Sequence, residues 1–152
     1  MPALITPERP DTADAQALIA ELEGELAPHY PSESRHGFSV DQLVADAVPF
    51  FLIRESGMPA GCGGVKVIGS EYGEVKRMYV RPHFRGAGLA RLMLTHLSQY
   101  VERQGIRRLR LETGIHQRAA IGLYERMGFQ RIPPFGGYRE DPLSLFYEKE
   151  LH

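Results

Sequence analysis

The chain holds a single cysteine, Cys62, so no internal disulfide can form and a disulfide-stapled secreted domain is excluded. Charge of one sign is not in surplus: 18 Lys and Arg stand against 19 Asp and Glu, a formal net charge of −1. Broad electrostatic binding to nucleic acid or to an anionic membrane has no basis in that balance. No apolar run nears the roughly 20 residues that span a bilayer. Met1-Pro2-Ala3-Leu4 lacks the basic-then-apolar order of a signal peptide. No cluster of His, Cys, Asp or Glu has metal-ligand spacing, and there are no repeats, linkers or low-complexity tracts. These absences predict a cytoplasmic protein with no metal, membrane or nucleic-acid partner. What is present, 152 residues of which 43% are hydrophobic and 24% charged, suits one domain, 1–152, with a sizeable core.

The most informative stretch is Arg85-Gly86-Ala87-Gly88-Leu89-Ala90. It follows an extended run, Tyr72 to Arg81, and opens an amphipathic pattern. A strand, a glycine turn and a helix in that order leave free N–H groups at the helix N-terminus, where the dipole favours anions. Gly86 and Gly88 let backbone approach a phosphate, and Arg85 can add positive charge. The stretch is not a P-loop, since no Gly-Lys-Ser/Thr follows, and it lacks the third glycine of the dinucleotide fingerprint. On the glycines alone, a loop that merely starts a helix is an equal reading.

Taken in order, Ala3 to Ile5 reads as a short strand. Asp11 or Thr12 caps a helix to about Ala27, with Leu18, Leu22 and Leu26 on one face. A polar, proline-bearing loop follows, and Ser39 or Asp41 caps a short helix through Asp46. Pro49 to Glu55 is a nearly continuous apolar strand and therefore buried. Ala60 to Ile68 is the next strand, whose glycines 61, 63 and 64 predict a bulge or close approach; Cys62 within it reads as a small buried hydrophobe. Glu74 to Val80 is a strand leading to the glycine loop. Leu89, Leu92, Met93, His96, Leu97, Tyr100 and Val101 then recur at helical spacing, with His96 as a packing residue. Ile106 to Thr113 is a strand, Gln117 to Met127 a helix, Phe129 to Ile132 a short strand and Leu143 to Leu151 a final one. The order β-α-α-β-β-β-α-β-α-β-β implies an α/β (α+β) fold. Its mixed, mostly antiparallel sheet would have six to seven strands flanked by about four helices.

Two motifs in this order resemble the GNAT superfamily of acetyltransferases. Val80-Arg81-Pro82-His83-Phe84-Arg85-Gly86-Ala87-Gly88-Leu89-Ala90 is similar to that family's Arg/Gln-x-x-Gly-x-Gly/Ala loop. Ala119-Ala120-Ile121-Gly122-Leu123-Tyr124-Glu125-Arg126-Met127-Gly128-Phe129 is similar to its Leu-Tyr-x-x-x-Gly-Phe helix. Gln117 departs from the Asn often found at the start of the second motif. The resemblance implies acetyl-CoA as donor, with CoA as product, and a primary amine as acceptor. The amides of Arg85, Gly86, Ala87, Gly88, Leu89 and Ala90 would hold the pyrophosphate. Met78, Tyr79 and Val80 would pair with the pantetheine arm as with an added strand, and Gln117, Ala120 and Tyr124 would line the same site. The implied reaction is direct attack on the thioester, so Cys62 need not be a nucleophile.

Such a transfer needs a base for the ammonium, a donor for the oxyanion and a proton for the thiolate. Tyr124 is the expected acid, although its place beside Ala120, Leu123 and Met127 also suits a core residue. Glu74 leads as base because period-two counting sets it on the face of Met78 and Val80; a solvated carboxylate beside Lys76 is the plainer reading. Glu112 is the rival base. The acceptor pocket is expected between 30–38 and 133–143, with Tyr30, Phe38, Phe135 and Tyr138 as walls and Arg35, His36 and Arg139 as anion partners. An amine that also bears a carboxylate or an aromatic group would suit it. The alternatives are a peptide or protein N-acetyltransferase, a non-catalytic acyl-CoA-binding module and a nucleotide-phosphate domain, and a homodimer is left open.

Overall fold

The computed structural model describes residues 3–152. The first helix, α1 (Ala13–Leu26), starts where the Thr12 hydroxyl accepts a hydrogen bond from the Ala15 N–H at 3.2 Å, a cap worth about 1 kcal/mol. Asp11, the alternative cap, pairs with Arg9 instead. Ser39 caps the short α2 (Val40–Ala45) in the same way. The longer α3 (Leu89–Arg103) and α4 (Arg118–Arg126) follow the two sequence motifs. Along α3 the buried stripe runs through Leu89, Met93, Leu94, Leu97 and Val101; Leu92, expected in it, is exposed. His96 packs its ring edge-on against Phe51 at 4.5 Å, and burial lowers its pKa.

The strands are β1 (Ala3–Pro7), β2 (Phe50–Glu55), β3 (Met58–Ile68), β4 (Tyr72–Val80), β5 (Arg108–Gly114), β6 (Gln130–Ile132) and β7 (Ser144–Glu150). They form one sheet in the order β1-β2-β3-β4-β5-β7-β6, so β7 inserts between β5 and β6. Every pairing is antiparallel except β4 with β5. β2 is apolar from Phe50 to Ile53 because both sheet faces are covered there. Phe50 and Leu52 pack with Leu18, Ile19 and Leu22 of α1, while Phe51 and Ile53 pack with Met93 and Leu97 of α3. Cys62 lies in the α1 cluster, and burial pushes its thiol up to about 12. No helix among the described residues is long and apolar enough to cross a membrane.

Two irregularities shape the centre of the sheet. Between the pairs Cys62↔Tyr79 and Gly64↔Lys76, β3 spends one residue, Gly63, where β4 spends two, Arg77 and Met78. The glycines of β3 suggested a bulge there, but the extra residue sits on β4, where Arg77 has φ +53°. A non-glycine residue in that conformation costs roughly 1–2 kcal/mol. Its side chain is held in return: Arg77 Nε donates to the Phe38 carbonyl at 2.8 Å and Nη2 pairs with Glu23. The second irregularity is the β4–β5 ladder, which consists of Gly73↔Leu109 and Glu74↔Arg110 and no further pairs. Beyond them the two parallel strands diverge.

The bulge also overturns the face expected for Glu74. Val75, Met78 and Val80 pack into the α3 cluster, and Tyr79 into the α1 cluster. Period-two counting fails across Arg77, so Glu74 lies on the face opposite Met78 and Val80.

Candidate active site

The divergence of β4 and β5 opens a cleft of about 880 Å³. Met78, Tyr79 and Val80 form its β4 side; Gly86, Gly88, Leu89 and Ala90 its loop side; and Gln117, Ala120 and Tyr124 its α4 side. Gly86 and Gly88 have φ +86° and +81°, and a Cβ built on either would meet nothing within 4 Å. Glycine is needed there for backbone conformation and not for room. Among the described residues no acceptor is found for the N–H groups of Gly86, Ala87 and Gly88, which precede the first turn of α3. They are the free donors that the sequence pattern predicts.

Two details of this cleft differ from expectation. Arg85 lines it, but its guanidinium is spent: Nη2 pairs with Glu25 at 2.7 Å and Nε donates to the Val80 carbonyl. Its role is to tie the loop to β4 and α1. The positive charge comes instead from Arg91, Arg118 and Arg126, which the motifs did not single out. Ala87 lies on the exposed outer side of the turn and lines no cavity.

A second cavity of about 130 Å³ adjoins the first. Leu22, Met78, Gln117, Ala120 and Tyr124 line both, so the two meet at these residues. Tyr124 is 6% exposed, with its ring against Phe129 and Tyr147 at centroid distances of 5.7 and 6.3 Å. Its hydroxyl has no hydrogen-bond partner among the described residues. Burial, and then the charge of Glu112, raises its pKa far enough to keep it protonated in neutral solution.

The two candidate carboxylates differ in surroundings. Glu112 extends from β5 into the smaller cavity, where burial pushes it up to about 7; Ser144 Oγ, donating to Glu112 Oε2 at 2.8 Å, and the nearby Lys76 charge pull the other way. Glu74 is 6% exposed and bound on both sides, by Lys76 Nζ at 2.9 Å and by the Tyr138 hydroxyl at 2.5 Å. Lys76 in turn sits over the Phe38 ring at 4.2 Å and donates to Tyr138 at 3.2 Å. Ser144 is a neighbour that sequence reasoning passed over, since it lies in no motif; Lys76 does stand beside Glu74 as the plainer reading had it, but the pair is buried and not solvated.

Tyr30 closes the cavity from the loop after α1. Its hydroxyl accepts from the His116 N–H at 2.9 Å and donates to Gln117 Oε1 at 3.4 Å. A Cβ on Gly114 would lie 2.1 Å from that hydroxyl, so only glycine admits Tyr30 here. Gln117 precedes α4 without capping it by its side chain. Arg35, His36 and Tyr138 line the same cavity, the His36 ring standing edge-on to Tyr138 at 5.2 Å. Phe38 supports it through Lys76. Phe135 does not line it: the ring is buried against Tyr72 and Phe146, because β7 crosses behind that loop. Arg139 is exposed and away from both cavities. Among the described residues no group of three His, Cys, Asp or Glu is placed to hold a metal.

A diverging parallel strand pair, a left-handed glycine turn with free amides and a second cavity joined at a tyrosine define an acyl-CoA-dependent acyltransferase. The chain belongs to the acetyltransferase (GNAT) family, whose profile matches residues 13–129. It is 42% identical over 135 residues to an IAA acetyltransferase of Azospirillum brasilense, covering 88% of each chain. It is 35% identical to the uncharacterised N-acetyltransferase YedL of Escherichia coli, covering 90% of this chain and 87% of that one. A provisionally named acyl-CoA N-acyltransferase from Klebsiella pneumoniae superposes with a TM-score of 0.82 at 36% identity, covering 99% of this chain and 98% of that one.

Proposed function

We propose that the protein is an N-acetyltransferase that moves the acetyl group of acetyl-CoA to the primary amine of a small molecule by direct attack. The observation that carries this reading is the junction of the two cavities. An unpartnered tyrosine hydroxyl stands there, with a carboxylate that titrates near neutrality in the smaller cavity. The residues fit acetyl-CoA: free amides of Gly86 to Gly88 for the pyrophosphate, the open edge of β4 for the pantetheine arm, and Arg91, Arg118 and Arg126 for the remaining negative charge. When bound, acetyl-CoA supplies the activated acyl group.

Glu112 is the base in this reading, in place of Glu74. Ser144 holds Oε2, which leaves Oε1 to take a proton from the acceptor ammonium. A carboxyl titrating at about 7 accepts that proton at neutral pH and passes it to solvent. Glu74 is committed to Lys76 and Tyr138 and serves to hold the wall. Tyr124 gives its hydroxyl proton to the departing sulfur and regains one from the nitrogen as the amide forms, so one proton is released overall. The N–C bond forms as the C–S bond breaks. A small acceptor is supported by the size of the second cavity and by the relative named for IAA.

The test is CoA release from acetyl-CoA with a panel of primary amines, with the acetylated product identified by mass. Binding of acetyl-CoA with no release for any amine would point to a non-catalytic acyl-CoA-binding module.

A further inference from the structure

The smaller cavity carries three permanent cations, Arg35, Lys76 and Arg77, and two carboxylates, Glu74 and Glu112. Lys76 is matched by Glu74. Arg35 and Arg77 share one carboxylate, Glu23, through Oε2 and Oε1 respectively. Within this cluster two guanidiniums therefore face one carboxylate, and the cavity's other acid, Glu112, is bonded to Ser144 and pairs with neither arginine. Asp141, the next acid nearby, accepts from Ser34 Oγ and the Leu143 N–H and does not line the cavity. Arg35 also has an unmet donor: its Nε is buried with no hydrogen-bond partner among the described residues. A buried donor of this kind is costly unless a ligand brings its acceptor.

Tyr124, Met78, Gln117, Ala120 and Leu22 belong to both cavities and mark the end where an amine must meet the acyl group. Arg35 and His36, from the loop after α1, line the smaller cavity and not the larger, as Glu112 of β5 does. A volume of 130 Å³ holds about four waters, so one small molecule fills it. A plain alkylammonium in such a place meets two guanidiniums that share one carboxylate; a molecule with an anion at its far end brings a second.

We propose that the acceptor is a compact primary amine bearing a carboxylate, its carboxylate held at the Arg35 guanidinium and its amine turned toward Glu112 and Tyr124. This rests on the N-acetyltransferase reading above and uses the same bond changes. Guanidinium and carboxylate match in two-pronged geometry, so a lysine replaces arginine here only in part.

The experiment compares glycine, alanine and β-alanine with their carboxamides and with methylamine and ethylamine, following CoA release in the wild type, Arg35→Gln and Arg35→Lys. The wild type should use each amino acid with kcat/KM at least about tenfold above that of its amide. Arg35→Gln should erase that preference mainly through the KM of the amino acid, with the KM of acetyl-CoA held. Arg35→Lys, which keeps the pairing with Glu23, should restore part of it. Amides and plain amines used as well as the amino acids by the wild type would overturn the proposal without need of any variant. So would an Arg35→Gln protein that keeps the preference. Acetyl-CoA binding with no CoA release for any amine overturns the N-acetyltransferase reading itself, and the acceptor assignment falls with it.

Discussion

The two cavities that meet at Tyr124 are built in opposite ways. The larger holds the free backbone amides of the glycine turn, and its walls are the outer half of β4, the start of α3, α4 and the end of α1. Its key groups lie in two contiguous motifs. The smaller is made by side chains from the loop after α1, from β4, β5 and α4, and from the loop before β7, joined by contacts such as Ser34 to Asp141, 107 residues apart. A site of backbone amides needs only a conformation, which glycines announce. A site of side chains needs a register, which depends on how distant strands pair. The proposed donor site is therefore readable in the chain as written, and the proposed acceptor site emerges only once β4 and β5 are set side by side.

The sharpest break of this contrast is Gly88→Glu, which puts a carboxylate in the donor cleft and nowhere near the acceptor cavity. The Cβ is unobstructed but φ is +81°, so the fold should survive with about 1–2 kcal/mol lost. Acetyl-CoA affinity should fall at least ~100-fold by calorimetry, the sum of repelled phosphate and lost amide bonds. Unchanged affinity in a folded variant would remove the loop from the donor site.

Next comes Glu112→Gln, which should lower turnover by about 100-fold at neutral pH while leaving acetyl-CoA binding near normal. Its stability should shift in the opposite sense. The folded pKa of about 7 lies above the ordinary carboxylate value, so between roughly pH 4.5 and 7 the native state holds a proton that the unfolded chain releases. Wild-type stability therefore falls as pH rises through that window. The glutamine variant should melt higher than wild type at pH 8 and equally at pH 4. Glu74→Gln should do the reverse, losing about 1–3 kcal/mol as buried Lys76 loses its counter-charge, with a smaller change in rate. If Glu74→Gln abolishes the rate and Glu112→Gln does not, the two roles are exchanged.

Tyr124→Phe should lower turnover at least about tenfold with Tm within a few degrees, because the hydroxyl holds no partner among the described residues. A stable, fully active variant would take the acid role from Tyr124. Smallest of all is the response to thiol reagents. Cys62 is 1% exposed with its thiol pushed up to about 12, so alkylating agents should leave the native enzyme's activity unaltered at neutral pH.

What the chain disclosed in advance follows the same division. The α3 stripe, the capped α1 and the two motifs are local patterns, and each helix stands where its pattern predicted. The Arg77 bulge is not local: a left-handed arginine carries no mark in the sequence and is held by Glu23 and Phe38 from elsewhere. Missing it set Glu74 on the wrong face. The poise of Glu112 depends first on its burial, against which Ser144 from β7 and Lys76 from β4 pull, and strand pairing brings these together. Phe135 looked like an aromatic wall because its loop was expected to border the acceptor pocket, and its burial follows from β7 inserting beside β5.

The two-pair ladder between β4 and β5 has a mechanical side as well. It is a seam: β1 to β4 on one side and β5 to β7 on the other share two rungs of backbone and otherwise a common core. A strand-like ligand lodged there acts as a rivet. By mass action a ligand at 100 times its Kd adds about 2.7 kcal/mol to the resistance to unfolding. That gain should concentrate along the seam. Hydrogen exchange at Met78 and Val80 should slow on adding CoA far more than exchange in the β2–β3 hairpin from Phe50 to Ile53, where four successive pairs are already in register.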